Sequence, residues 1–129
     1  MKFRFFGSLI ILLTLVVTIL EASEPNDGGW MERVPPSEHA RTSPIRNKAV
    51  AIANGRSTFR THCSPCHGEN AQGSDRAPAL RTARVQRHAT QGDLHWLVAN
   101  GNRERGMPAW AKLGDHEIWQ VIAYVRSLR

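Results

Sequence analysis

The chain has 129 residues, seventeen Lys+Arg against eleven Asp+Glu, a pI near 10.4 and two cysteines. That length suits one small domain, and a composition 41% hydrophobic and 22% charged excludes a disordered chain. Two cysteines exclude a disulfide-rich scaffold, and a net charge of +6 with no recognition helix or stacking-aromatic motif excludes nucleic acid as the partner.

Residues 1–22 read as a targeting element. Lys2 and Arg4 precede the uncharged run at residues 5–20, and Glu21 and Glu24 follow it. Positive charge ahead of an apolar run marks a signal peptide or an N-terminal membrane anchor, with the rest of the chain exported. Sixteen helical residues reach about 24 Å, short of the ~30 Å hydrocarbon core, which favours a cleaved signal. Bulky Leu20, three residues before a cut after Ala22, favours a retained anchor. Both forms place the chain on the periplasmic side of the cytoplasmic membrane, soluble or attached through residues 5–20.

Residues 23–46 read as an extended linker or arm, because Pro35-Pro36 and a polar composition oppose regular structure. Trp30 and Met31 are an apolar pair that a spacer does not need. Either they dock on a folded domain or they are incidental to a flexible tether. The domain itself falls to residues 47–129, which carry twelve Lys+Arg and six Asp+Glu. A span of that size buries a modest core and often needs a cofactor or staple.

A helix is predicted over residues 49–62, with Ile52, Gly55 and Phe59 recurring at spacings of three and four on one buried stripe. Gly55 in mid-helix costs about 1 kcal/mol relative to Ala, so a close backbone contact is expected there. A second helix is predicted over residues 90–100, where Thr90 and Asp93 form a capping pair and Gly101 ends it. Gly106-Met107-Pro108 follows in a loop. The helix predicted over residues 115–128 presents Ile118, Val121, Ile122 and Val125, flanked by Trp119 and Tyr124. Asp115 and Glu117 open it and Arg126 and Arg129 close it, which suits the helix dipole.

Both cysteines stand in Cys63-Ser64-Pro65-Cys66-His67. The spacing C-x-x-C-H is that of c-type haem attachment. Two thiols three residues apart on a helical turn face one side and add across the two vinyl groups of a porphyrin edge, and the adjacent imidazole reaches the iron. Three rival readings fit less well. A redox dithiol would follow a β-strand, and none is predicted before Cys63. Zinc needs two more ligands, yet His39, His62, His88, His95 and His116 form no H-x₃₋₅-H pair. A disulfide across two residues of a helix would be strained.

With these features together, residues 47–129 resemble the class I monohaem cytochrome c family. Gly55, Phe59, Cys63, Cys66, His67 and Gly68 fit its G-x-x-x-F/Y-x-x-x-C-x-x-C-H-G frame, and Gly73 with Ala77-Pro78-Ala79-Leu80 fits its following loop. Gly106-Met107-Pro108-Ala109-Trp110 matches its distal-ligand loop, and Tyr124 its C-terminal helix aromatic. The resemblance implies an all-α fold with crossed N- and C-terminal helices around one covalently bound haem c. It also implies that the Pro78 carbonyl accepts a hydrogen bond from the His67 ring.

Cys63, Cys66, His67 and Met107 are therefore the candidate cofactor-binding residues, with His67 and Met107 as iron ligands. The Met107 thioether suits haem iron, and Pro108 stiffens the chain beside it. Met31 in the arm, His95 on a helix, and His88 and His116 are weaker candidates for the distal position, and an exposed loop methionine is the bland alternative for Met107. His62 is expected to face solvent. Trp110 is expected at the haem edge, Trp96 and Trp119 in the core or at the haem cavity wall, and Leu80, Leu94, Leu97 and Val98 in an apolar pocket. Arg81, Arg84, Arg87, Arg103 and Arg105 read as a solvated basic face or as propionate partners. The expected function is one-electron transfer without catalysis at the haem, between a donor dehydrogenase or respiratory complex and a terminal oxidase. A gas- or peroxide-binding haem protein with a labile sixth ligand is the alternative. Two haem propionates would lower the domain's charge to about +4, a weak docking surface for an acidic redox partner.

Overall fold

The computed structural model describes residues 29–128, and every regular element in it is helical. The expected signal or anchor at residues 1–22 and the closing Arg129 lie outside the described residues. Among those described, no helix is long and apolar enough to cross a membrane.

The stretch expected to be extended is instead folded from residue 30 onward. A 3₁₀ turn, Met31–Arg33, precedes a one-turn helix α1, Pro36–His39. Pro36 occupies the first turn of α1, where its missing N–H leaves no hydrogen bond unmade, so the Pro-Pro pair starts a helix rather than preventing one. Trp30 is 5% exposed and lies in a cluster with Ala89, Leu94, Ile118, Trp119 and Ile122, with Met31 packed against it. The apolar pair in the arm thus docks on the domain.

Helix α2, Lys48–His62, is capped by the Asn47 side chain, which accepts from the Val50 N–H at 3.2 Å. Its buried positions are Ala51, Gly55 and Phe59, with Ile52 half-buried at the edge. Helix α3, Ser64–His67, is the single turn that carries the second cysteine and the histidine. A π-helical turn, Arg84–His88, comes before α4, Gln91–Asn100, whose N-terminus closes in the reciprocal Thr90/Asp93 capping box expected from the residues. Helix α5, Asp115–Ser127, is the last element among the described residues.

Helix α5 crosses α2. A β-carbon at Gly55 would collide with the Gln120 carbonyl of α5, so only glycine lets the two backbones meet there. Phe59, wholly buried, then reaches Tyr124 with ring centroids 5.2 Å apart. Burial on α5 is wider than the predicted stripe, because Trp119, Gln120 and Tyr124 are buried with the four aliphatic residues. The helix separates two clusters. Phe59, Ala71, Val121, Tyr124 and Val125 form one, and the Trp30 cluster forms the other. Leu80 packs on the first, while Leu94, Leu97 and Val98 join the second.

The basic residues near the end of α5 do more than complement its dipole. Arg126 donates through Nη1 to the Val85 carbonyl at 2.9 Å and through Nη2 to that of Ala89 at 2.5 Å, satisfying the end of the π-helical turn. Arg81 Nε donates to the Leu128 carbonyl at 2.8 Å. Both guanidiniums replace partners that helix ends lack.

Candidate functional site

Cys63 ends α2, with its N–H bonded to the Phe59 carbonyl at 2.8 Å. The chain turns there and re-enters a helix, Cys66 N–H and His67 N–H both bonding the Cys63 carbonyl at 3.1 and 2.9 Å. Both thiols are free. Burial, with the neighbouring Cys66 adding to it, pushes the Cys63 thiol up to about 11, so it is held as the neutral thiol.

His67 is buried, and its Nδ1 lies 2.8 Å from the Pro78 carbonyl. A carbonyl only accepts, so Nδ1 carries the proton and Nε2 keeps its lone pair. Burial lowers the pKa of the ring, with the Pro78 bond opposing in part, and the imidazole stays neutral. The loop that places Pro78 is closed by short-range bonds. Gly73 N–H donates to the His67 carbonyl at 2.8 Å, Ser74 Oγ to the Cys66 carbonyl at 2.5 Å, and Leu80 N–H to the Ala71 carbonyl at 2.9 Å. At Gly73, φ is +83°, and a β-carbon would sit 2.6 Å from the Ala79 nitrogen. The Pro78 carbonyl reaches His67 because Gly73 leaves that space.

Met107 is half-buried in an otherwise exposed loop. Its backbone exchanges two hydrogen bonds with Asn102, at 2.9 and 3.0 Å, around the 3₁₀ turn Arg103–Arg105 and the left-handed Gly106. Three residues later, Trp110 N–H bonds the Val98 carbonyl at 2.9 Å. The Trp110 ring lies 5.0 Å from that of His62, with the Lys112 ammonium 5.2 Å over it. His62, expected in solvent, is therefore half-buried against the methionine loop. That contact ties the loop to the end of α2, one residue before Cys63.

The other histidines are committed elsewhere. His95 is 5% exposed and packs on Trp119 at 4.3 Å. Its Nδ1 accepts from Arg41 Nη1 at 3.2 Å, and its Nε2 lies 2.8 Å from Asp115 Oδ1, so neither nitrogen is available to iron. His116 pairs with Gln120 at 3.0 Å, and His88 is exposed. Among the described residues, no three His, Cys, Asp or Glu side chains converge to hold a bare metal ion. Two thiols on one turn, an imidazole with its Nε2 lone pair available and a thioether are a donor set that suits a covalently attached porphyrin iron.

Residue patterns alone did not point to Asn102, which brackets Met107, or to the contacts of Arg33, Arg41, Asp93 and Asp115 that hold the arm. The one hint was Trp30-Met31, an apolar pair in a polar stretch.

Residues 50–125 match the family described as cytochrome c oxidase, cbb3-type, subunit III. Over 87 residues the chain is 37% identical to the cbb3-type cytochrome c oxidase subunit CcoP of Azospirillum brasilense, covering 62% of this chain and 29% of that protein. It is 33% identical over 78 residues to the subunit FixP of Rhizobium etli, covering 59% and 27%. The chain thus spans less than a third of the length of these relatives. In fold it is similar to cytochrome cL of the methylotroph Methylophaga aminisulfidivorans, with a TM-score of 0.52 and 24% identity over 85% of this chain and 71% of that one.

Proposed function

The chain belongs to the cbb3-type cytochrome c oxidase subunit III family, c-type cytochrome domains of electron transport, and within it we propose that residues 47–129 form a one-electron carrier with a single covalent haem c. When bound, the haem would supply a one-electron iron couple. Cys63 and Cys66 would hold it by thioethers, His67 would present Nε2 as the proximal ligand, and Met107 its sulfur as the distal one. The observation that carries the reading is the His67–Pro78 hydrogen bond, which commits Nδ1 and leaves Nε2 as the donor atom. Together, Met107 and His67 would raise the potential relative to two histidines and would disfavour weak exogenous ligands. The chain's residues would then bind and orient the group.

The acceptor is proposed to be an oxidase complex, as the names of the relatives suggest, with a dehydrogenase or respiratory complex as donor. Attachment of haem c outside the cytoplasm calls for export, which residues 1–22 would direct as signal or anchor. An anchor would raise the local concentration of the domain at membrane partners.

Intact mass and the optical spectrum of the purified full chain test this reading. The expected result is one haem added covalently, a low-spin ferric spectrum with the far-red sulfur-to-iron band, and no binding of carbon monoxide to the reduced protein at neutral pH. Rapid stoichiometric binding of carbon monoxide would establish the ligand-binding alternative, and a mass without haem would overturn both.

A further inference from the structure

The arm runs antiparallel to α4 and reaches the loop that carries Met107. At the N-terminal end of α4, Thr90 Oγ1 donates to the His39 carbonyl at 2.9 Å and the His39 ring meets Asp93 at 2.8 Å. Gly92 has no side chain to obstruct the Glu38 carbonyl beside it. Beyond the other end of α4, Arg33 Nη2 donates to Asn102 Oδ1 at 2.9 Å, and Arg33 Nη1 lies 3.4 Å from Glu104 Oε2. One guanidinium thus holds both the base and the tip of the turn between Asn102 and Met107.

Asn102 is 6% exposed, and its backbone makes both hydrogen bonds to Met107. Residues 103–106, 108 and 109 are all exposed, so the loop has little apolar packing of its own. Arg33 is in turn fixed by its own segment. Its N–H bonds the Trp30 carbonyl at 3.2 Å, and the Trp30 side chain is buried in the core.

We propose that Arg33 is a positioning residue for Met107, and that through it the arm sets how readily the distal ligand leaves the iron. The inference rests on Met107 being that ligand. A thioether is a weak axial donor, so its occupancy depends on how often the loop that carries it opens. A charge-assisted hydrogen bond to the base of the loop opposes that opening.

The test titrates imidazole into the oxidised full-length holoprotein and follows loss of the far-red sulfur-to-iron band. Arg33→Ala is expected to be half-displaced at about one tenth of the wild-type imidazole concentration, the loss of one charge-assisted hydrogen bond. Arg33→Lys, which keeps the charge and a donor, is expected between the two. Amide exchange gives a readout independent of the iron, and the Met107 and Asn102 N–H groups of Arg33→Ala should exchange about tenfold faster, with Gly73 unchanged. Wild-type displacement and exchange in Arg33→Ala, with the band abolished in Met107→Ala, would overturn the inference alone. A band that survives in Met107→Ala would instead overturn the assignment of the ligand.

Discussion

The two loops that carry His67 and Met107 are held by different means. The His67 side is closed by bonds within fifteen residues, running from Cys66 and His67 to Gly73, Ser74 and Pro78. The Met107 side has its bridge to Asn102 and the 3₁₀ turn inside that bridge as local support, and takes further contacts from Val98, from His62 and from Arg33, which is 69 residues from Asn102 in sequence. A loop closed on itself keeps its shape whatever happens elsewhere. A loop that also leans on distant partners responds to them, so the Met107 loop is the more open to influence from the rest of the fold.

The largest effect is expected from breaking the arm at its root. Trp30→Ala removes a buried ring from the core and should cost about 3–5 kcal/mol in urea denaturation. If the comparison is right, amide exchange of the folded population will rise at Met107 and Asn102 and stay unchanged at Gly73. Gly73→Val attacks the opposite loop. The left-handed backbone and the Ala79 nitrogen leave no room for the side chain, and a loss of roughly 2–3 kcal/mol is expected. Its signature should be proximal, a changed ring-nitrogen environment of His67 by NMR, with the Asn102–Met107 bridge intact.

A smaller effect is expected of Arg41→Ala. Arg41 donates to Glu38 and to Asp115, both at 2.9 Å, and lies 5.4 Å over the Trp119 ring. Because these ion pairs are half-exposed, about 1 kcal/mol is expected by thermal or urea unfolding. A loss as large as that of Trp30→Ala would show that charge, not the buried ring, holds the arm.

The smallest and most gradual effect follows pH. In the folded chain the His95 pKa is lowered, chiefly by burial and then by the facing Arg41. That of Asp115 is lowered chiefly by its hydrogen bond from Arg41. Both groups bind protons more readily when unfolded, so stability should fall as pH drops below about 6.5, through His95, and again below about 4, through Asp115. Denaturation midpoints between pH 8 and pH 4 would check the direction, and His95→Gln should flatten the upper part of the profile.

Much of the fold was legible because it depends on neighbours in sequence. The Thr90/Asp93 box and the turn from Cys63 to His67 each need only a few consecutive residues. Gly55 was legible for another reason, since a mid-helix glycine is costly unless something takes the space of its side chain. Cys63, Cys66 and His67 stood out as candidates by their spacing, and Met107 by its residue type and its place before Pro108. His62 was misplaced because a histidine on a helix gives no local sign of the ring that covers it, here Trp110, and for the same reason the packing of His95 on Trp119 could not be read. The arm was misjudged because Pro35-Pro36 opposes a helix before Pro36 and not after it.

By itself the sequence determined the helices, the Cys63–His67 turn and the residue types able to hold a haem, since spacing and local hydrogen bonding dictate these. Only the tertiary structure decided that the arm lies along α4, that His95 is shut between Arg41, Asp115 and Trp119, and that Arg33 grips the loop of Met107. Those contacts join residues far apart in the chain. Their free energy comes from apolar burial and from hydrogen bonds strengthened by a lower local dielectric, which arise only once the helices have packed.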